Sequence, residues 1–217
     1  LHVHRTAQLR AGRRLTEVNR DLQRQLGLAE APIVMATDDR LRTRLRTAEG
    51  WMEFQPWFVG AQSKPDVHEI AFDGAHAARP TQEALDALAT AERIVIAPSN
   101  PMISIAPILA VPGIREAIAA ARSRGALVVG VSPIVAGRAL KGPADRMLAA
   151  AGLEVSPAGV AAHLSGLMDL LLVDSADDTD DLRRALEPHV RASLAAPIVM
   201  HDDAARRALA EIVLAVS

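Results

Sequence analysis

From residue 80 onward, the chain alternates short apolar runs with amphipathic helical segments, and this alternation limits the fold more than any other feature. The runs predicted as strands lack a polar face, which is typical of strands buried on both sides of a sheet. They are RIVIAP (93–98), ALVVGVSP (126–133), LLLVDS (170–175) and APIVMHDD (196–203). Such strands, separated by helices, predict βα units. The predicted fold class is therefore α/β: a three-layer, Rossmann-like, mostly parallel sheet.

The first part of the chain follows a different pattern, with helices first and alternating strands after them. Its predicted elements are helices over 1–12 and 14–26, a short strand over 32–39, a hairpin over 44–55 and a strand over 67–74. Thr16 is the predicted N-cap of the second helix. We divide the chain into a helical start with a small β-hairpin insertion, residues 1–92, and a nucleotide-binding α/β portion, residues 93–217, within a single domain.

Composition excludes several classes of function. Half of the 217 residues are hydrophobic, so the chain can bury a sizeable core. The net charge of −2 gives no electrostatic reason to expect nucleic acid or an anionic membrane as partner. The absence of cysteine excludes disulfides and thiolate chemistry, and the seven histidines lack the spacing of a zinc site. No apolar run reaches the ~20 residues of a membrane span and no signal peptide is evident, so we expect a cytoplasmic protein.

Polar residues follow the predicted strands at their carboxyl ends, where ligands bind in parallel α/β sheets. These dipeptides are Ser99-Asn100, Ser132-Pro133, Asp174-Ser175 and His201-Asp202. In APSNPMIS (97–104), Ser99, Asn100 and Ser104 offer polar side chains beside exposed backbone N–H groups, which suit a phosphate or a base. The alternative is a proline-stiffened crossover whose polar groups satisfy the local backbone. Both interpretations stay open.

The next such loop, within VSPIVAGRALKGPADRM (131–147), is basic. Arg138 and Lys141 bring positive charge to it, and Lys141 is one of only two lysines in the chain. Guanidinium and ammonium groups both bind phosphate, and Gly142 relieves the backbone beside them. The alternative is an ordinary exposed basic loop. If the two preceding strands are neighbours, the polar and basic loops lie together and predict a diphosphate or nucleotide site.

Acidic pairs and aromatic residues give weaker signals. Adjacent aspartates occur at 38–39, 177–178, 180–181 and 202–203. Asp180 and Asp202 precede helices, where capping is the commoner role. The pair at 38–39 ends a predicted strand and is the better candidate for holding Mg²⁺ beside a phosphate. The aromatic residues Trp51, Trp57 and Phe58 form either a small satellite core or a wall for a flat ring ligand.

Several long motifs resemble the 2-phospho-L-lactate transferase family. They are IAPSNPMISIAPILAVPGIREAI (96–118), VVGVSPIVAGRALKGPADRM (128–147) and MATDDRLRTRLRTAEGWMEFQPWFV (35–59), with HVHRTAQLRAGRRLTEV (2–18) and IVMHDDAARRALAEIVL (198–214) at the two ends. The resemblance implies a step in coenzyme F420 biosynthesis. In that step a phospholactyl or phosphoenolpyruvyl group passes from a guanosine diphosphate-linked donor to the deazaflavin alcohol Fo, GMP leaves, and Mg²⁺ is required.

From the chemistry of the two loops, and not from known positions in the family, we expect the donor to contact Ser99, Asn100, Ser104, Arg138, Lys141 and Gly142. A homodimer is the ordinary expectation. Family members begin with a strand and a glycine-rich loop that this sequence does not match, so we expect residues to be missing before Leu1 and the first strand or strands of the family fold to be absent. The metal ligands, the Fo contacts and the catalytic residues therefore cannot be transferred. Two alternatives remain: a nucleotide-sugar-binding regulator of the gluconeogenesis-factor type, and a truncated domain without function.

Overall fold

The computed structural model describes residues 1–28 and 32–216. Its helices are α1 (His2–Arg10), α2 (Leu15–Gln25), α3 (Gln82–Thr90), α4 (Ala106–Leu109), α5 (Ile114–Ser123), α6 (Ala144–Ala150), α7 (Pro157–His163), α8 (Asp180–Leu186) and α9 (Asp203–Ala215). Its strands are β1 (Arg42–Thr47), β2 (Gly50–Glu53), β3 (Glu69–Asp73), β4 (Arg93–Ile96), β5 (Leu127–Val131), β6 (Ile134–Val135), β7 (Arg138–Ala139), β8 (Leu170–Asp174) and β9 (Ala192–Ala196). Short π-helical turns occupy Pro56–Gly60 and Pro101–Ile105.

A four-stranded parallel sheet forms the centre of the fold, in the order β4-β5-β8-β9. Successive residues of β5 point to opposite faces, so Val128 belongs to one apolar core and Val129 to another. The first core packs under α5, α6 and α7, and the second lies under α9, with Leu209 and Val213 buried. The predicted α/β fold, with a parallel sheet flanked by helices, is confirmed.

The predicted hairpin region forms a separate antiparallel sheet in the order β2-β1-β3. Leu45 is fully buried beneath it, and Trp57 in the following π-helical turn is 1% exposed. Arg146 of α6 links this region to the parallel sheet, because its guanidinium donates to the carbonyls of Ser63 (2.7 Å) and Lys64 (2.9 Å). Ser63 has a left-handed backbone (φ 55°), which costs a non-glycine residue about 1 kcal/mol. The two sheets are therefore joined at a strained turn.

Two predicted strands are wrong. The last strand of the sheet is β9, residues 192–196, and not 196–203; it ends there because Pro197 has no N–H to continue the ladder. His201-Asp202 therefore does not lie at a strand end. The segment 32–39 forms no ladder beyond an isolated bridge between Thr37 and Pro80. Other partners bond this segment: the Gln23 amide bonds both the N–H (2.5 Å) and the carbonyl (3.0 Å) of Ile33, and Thr81 donates to the carbonyls of Met35 and Ala36.

The predicted helix caps are only partly correct. Thr16 lies inside α2, and Asp38 caps the helix from a distant segment by accepting from the Thr16 N–H (2.7 Å). Thr179, and not Asp180, is the N-cap of α8, accepting from the N–H of Leu182. Asp202 caps α9 as predicted, accepting from the N–H of Ala205 at 2.7 Å.

Within the described residues, no single helix has the length and apolar composition to cross a membrane. One bent pair, Pro101–Leu109 with Ile114–Ser123, meets those two criteria together, with an angle of 83° between its members.

Candidate functional site

The loops after β4 and β5 leave the sheet side by side. The two strands are parallel neighbours, with Ile96 opposite Gly130 in the register. The first loop turns sharply at Asn100 into the π-helical turn 101–105, and the second runs through a small hairpin, β6-β7, to α6. The structure therefore brings the polar and the basic loop to the same edge of the sheet, as predicted for neighbouring strands.

Asn100 organises the first loop and ties it to α6. Its Oδ1 accepts from the N–H groups of Met102 (2.9 Å) and Ile103 (3.3 Å), which caps the turn. Its Nδ2 lies 3.3 Å from Sδ of Met147, whose helix begins immediately after the basic loop. The side chain of Asn100 thus fixes the first loop against α6, and its polar atoms are occupied within the protein.

Ser99 and Ser104 lie at the polar end of an apolar groove of about 750 Å³. The groove follows β4, whose Val95 is 46% exposed because this strand is at the edge of the sheet. Ile105 and Ile108 line the far wall. Its size suits a small molecule, and among the described residues that line it only the two serines carry a hydroxyl group.

The basic loop is held by its backbone while its charged side chains remain exposed. Ser132 is buried, and its Oγ contacts both the N–H (3.1 Å) and the carbonyl (2.9 Å) of Ile134. Ala136 has a left-handed backbone (φ 50°), and its N–H donates to both carboxylate oxygens of Asp177, at 2.9 and 3.1 Å. Arg138 and Lys141 are exposed beyond this point, and Gly142 adopts a positive φ of 71°. An ordered backbone thus carries two exposed cations.

Asp177 holds the basic loop in place by accepting from the Ala136 N–H, a role that the sequence pattern did not indicate. Burial is the largest influence and raises the pKa of its carboxyl; the Ala136 N–H opposes that shift, and the neighbouring Asp174 adds to it. Asp177 follows β8, the next strand of the sheet. It therefore positions the basic loop from the adjacent strand.

The two carboxylates predicted to hold Mg²⁺, those of Asp38 and Asp39, already have hydrogen-bond partners within the protein. Asp38 accepts from Arg14 Nε (2.7 Å) and from both the N–H and Oγ1 of Thr16 (2.7 and 2.8 Å). Burial acts to raise the pKa of Asp38, but the hydrogen bonds from Thr16 and Arg14 outweigh it and hold that pKa below its usual value. Asp39 accepts from the Arg79 N–H at 2.8 Å. Across residues 1–28 and 32–216, no three acidic or histidine side chains form a group that could hold a metal.

The predicted aromatic residues differ in burial, and they do not form a core of their own. Trp57 is buried, donates from Nε1 to the carbonyl of Pro65 (2.9 Å), and packs with Phe54 and Phe58. Phe54 and Phe58 stack with their centroids 5.2 Å apart. Trp51 stands apart and is 40% exposed, with the guanidinium of Arg44 5.4 Å from its ring centroid. Trp57 belongs to the main apolar core, against which Phe54 packs, rather than to a separate satellite core, and Phe58 is 41% exposed.

Comparison with known proteins decides the family. The profile of the 2-phospho-L-lactate transferase CofD family matches residues 1–215. The chain belongs to the CofD family. Its CofD relatives include a 2-phospho-L-lactate transferase of Methanosarcina mazei, 36% identical over 83% of this chain and 57% of that protein. A phosphoenolpyruvate transferase of Mycobacterium avium is 37% identical over 94% of this chain and 60% of that protein, and one of Streptomyces griseus is 39% identical over 96% and 65%. The chain thus spans less than two thirds of the length of these CofD proteins.

A solved structure supports the fold of this CofD chain. The crystal structure of a UPF0052-family protein from Bacillus halodurans superposes with a TM-score of 0.63, covering 98% of this chain and 70% of that one. The two share 15% sequence identity, so the likeness concerns the fold alone.

Proposed function

We propose that this chain is the donor-binding portion of a transferase of coenzyme F420 biosynthesis. The reaction passes a phospholactyl or phosphoenolpyruvyl group from a guanosine diphosphate-linked donor to Fo and releases GMP. The contact between Asn100 and Met147 at 3.3 Å carries the proposal, because it places the loop with the two serines against α6, the helix that follows the loop with the two exposed cations. Family membership supports transfer of this type.

In this proposal each of the two loops binds a different part of the donor. We assign the guanine or ribose portion to the loop that contains Ser99, Asn100 and Ser104, and the diphosphate to Arg138, Lys141 and the backbone at Gly142. An Fo hydroxyl attacks the phosphorus nearer to the three-carbon acid and loses its proton. The bond from that phosphorus to the GMP oxygen breaks, and GMP leaves with the electron pair. Exposed cations stabilise the charge that develops on the departing phosphate.

The proposal also concerns which donor is used, which metal ion is required, how many copies of the chain assemble and where in the cell the protein is found. We favour the enolpyruvyl donor, because the phosphoenolpyruvate transferases named above align over 94% and 96% of this chain, against 83% for the lactyl enzyme. Magnesium, a homodimer and a cytoplasmic location stay predictions that rest on the resemblance and on the sequence. Since the described residues hold no three-ligand metal group, no residue and no step is assigned to the ion.

Titration calorimetry of this chain with GDP tests the proposal. GDP is expected to bind, and the double variant Arg138→Gln/Lys141→Gln is expected to weaken it roughly tenfold or more, since two charge-assisted contacts are lost. The matched control is Lys64→Gln/Arg207→Gln, which removes the same two kinds of exposed charge elsewhere. Equal losses in both doubles would overturn the assignment.

A parallel titration with a UDP-sugar addresses the second candidate, a nucleotide-sugar-binding regulator of the gluconeogenesis-factor type. Binding of the UDP-sugar without binding of GDP would favour that regulator. Binding of neither nucleotide, by a chain that unfolds cooperatively on heating, would favour a truncated domain without function.

A further inference from the structure

A second groove, of about 610 Å³, lies between α1 and the segment 38–42. Four arginines line it: Arg5 and Arg10 from α1, with Arg40 and Arg42 from the facing segment. We call it the arginine groove. None of its lining residues belongs to the loops at the carboxyl edge of the parallel sheet. It is therefore a separate feature from the candidate donor site.

The four guanidinium groups of the groove have no carboxylate partner within the described residues. Most other arginines of the chain do, and examples are Arg13, Arg44, Arg46, Arg122, Arg146 and Arg183. In a chain with a net charge of −2, four unpaired cations around one depression are a local excess. Their mutual repulsion opposes folding, and a bound anion would relieve it.

The two acidic residues that line the groove do not neutralise these arginines. Both oxygens of Asp38 are bonded to Arg14 and Thr16, as described above. Asp39 accepts from the Arg79 N–H, and the Arg79 guanidinium lies 4.0 Å from it. Each carboxylate thus has its own cation outside the groove, and the four arginines outnumber the two carboxylates that line it.

The remaining lining defines the chemistry of an occupant. Leu9, Leu15 and Leu41 supply apolar surface, and Thr6 offers a hydroxyl. The volume falls within the range of small-molecule sites, about 300–1,000 Å³. Planar guanidinium groups bind phosphate oxygens in a bidentate manner, and several of them together match more than one phosphate charge.

We propose that the arginine groove binds a small molecule carrying two or more phosphate charges, with a modest apolar portion against the three leucines. This is a second anion site beside the donor site, and it does not depend on the proposed transfer. Its occupant is a diphosphate, or a compound with two phosphate groups.

Inorganic pyrophosphate is the probe that tests the proposal. Its binding to the whole chain is measured by titration calorimetry and by thermal unfolding, both at low ionic strength. The double variant Arg5→Gln/Arg40→Gln is expected to weaken pyrophosphate binding by roughly tenfold or more. The matched control Arg115→Gln/Arg207→Gln removes two exposed arginines elsewhere and is expected to change it less than about twofold. All four positions are exposed, so the variants should fold, which circular dichroism checks.

The same titration separates this site from the donor site. Arg138→Gln/Lys141→Gln is expected to leave the pyrophosphate site of the groove intact while weakening GDP binding. Loss of pyrophosphate binding in that variant but not in Arg5→Gln/Arg40→Gln would overturn the groove proposal and leave the donor site standing. No pyrophosphate binding by the unaltered chain would overturn it as well.

Discussion

The two ends of the parallel sheet use charged residues in opposite ways. At the amino end, the buried Asp169 precedes β8 and is fully bonded: its carboxylate accepts from Arg122 Nη2 (2.7 Å) and from the N–H of Val128 (2.9 Å). Its backbone carbonyl accepts from the N–H of Arg191. One residue thus secures the starts of three strands: β5 through its side chain, β8 as the residue that precedes it, and β9 through its backbone carbonyl.

At the carboxyl end, the arrangement leaves charge uncommitted. Asn100 and Asp177 bond the backbone of the two loops, but Arg138 and Lys141 extend into solvent. Removal of one partner from a buried, hydrogen-bonded ion pair is strongly destabilising, whereas an exposed charge contributes little to stability. The charges at the amino end of the sheet are therefore occupied within the fold, and those at the carboxyl end are available to the donor proposed above.

The largest expected effect is on stability, at the amino end. Asp169→Asn should reduce the free energy of unfolding by about 3 kcal/mol at neutral pH, because it leaves the Arg122 guanidinium without its counterion. Chemical denaturation measures this. The control is Asp181→Asn, which removes a carboxylate that is 90% exposed. GDP affinity should stay unchanged in Asp169→Asn under native conditions, and a loss there would contradict the division between the two ends.

The pH dependence of the same residue sharpens the prediction. Burial acts to raise the pKa of Asp169, but bonds from Arg122 and Val128 dominate and hold it below the usual value. Its contribution is therefore fully present above the unfolded-state pKa, about 3.9, and is lost as the pH falls through the lower folded-state value. Asp169→Asn should accordingly lose less stability below about pH 4 than the unaltered chain. An unchanged acid profile would contradict this.

An intermediate effect is expected at Asn100, because its side chain stabilises the fold and also shapes the loop proposed to bind the donor. Asn100→Ala removes the cap of the turn and should reduce the free energy of unfolding by about 1 kcal/mol. It should also weaken GDP binding and lower turnover in a complete enzyme, because the turn that presents Ser99 and Ser104 loses its fixed shape. Asn100→Asp keeps the capping acceptor and should recover most of the stability. Unaltered GDP affinity in Asn100→Ala would leave only the packing role.

The smallest expected effect is at Lys141, and it concerns binding alone. Lys141→Ala should weaken GDP affinity by roughly fivefold, the loss of one charge-assisted contact, without changing the unfolding temperature of this exposed site. Lys64→Ala is the matched control, since these are the only two lysines of the chain. If both variants bind GDP equally, Lys141 does not contact the donor.

The sequence predicted the parallel sheet well because its buried strands are continuous apolar runs. It failed at β9, whose residues ASLAA are small and form a strand only through pairing with β8. It also failed at 32–39, where a distant side chain, Gln23, satisfies backbone groups that a ladder would otherwise use. Periodicity within a segment carries no information about such partners.

The candidate site was predictable in the same limited way. The neighbouring positions of the two loops follow from strand order, and the residue types at their tips are visible in the sequence. The contacts that Asp177 and Met147 make with these loops were not predictable from the sequence. The contact of Asp177 with Ala136 joins residues 41 apart in the chain, and that of Met147 with Asn100 joins residues 47 apart. The arginine groove was missed for the same reason, since its cations come from two segments that only the tertiary fold brings together.

The bond between Arg146 and the strained turn at Ser63 has a mechanical consequence. Arg146 lies on α6, which starts directly after the basic loop. The same short helix is therefore connected to the basic loop at its start and, through Arg146, to the turn that precedes β3. Any change in the position of α6 would therefore alter the basic loop and the contacts of Arg146 with Ser63 and Lys64 at the same time. The position of the basic loop and the position of the turn before β3 are thus not independent of each other.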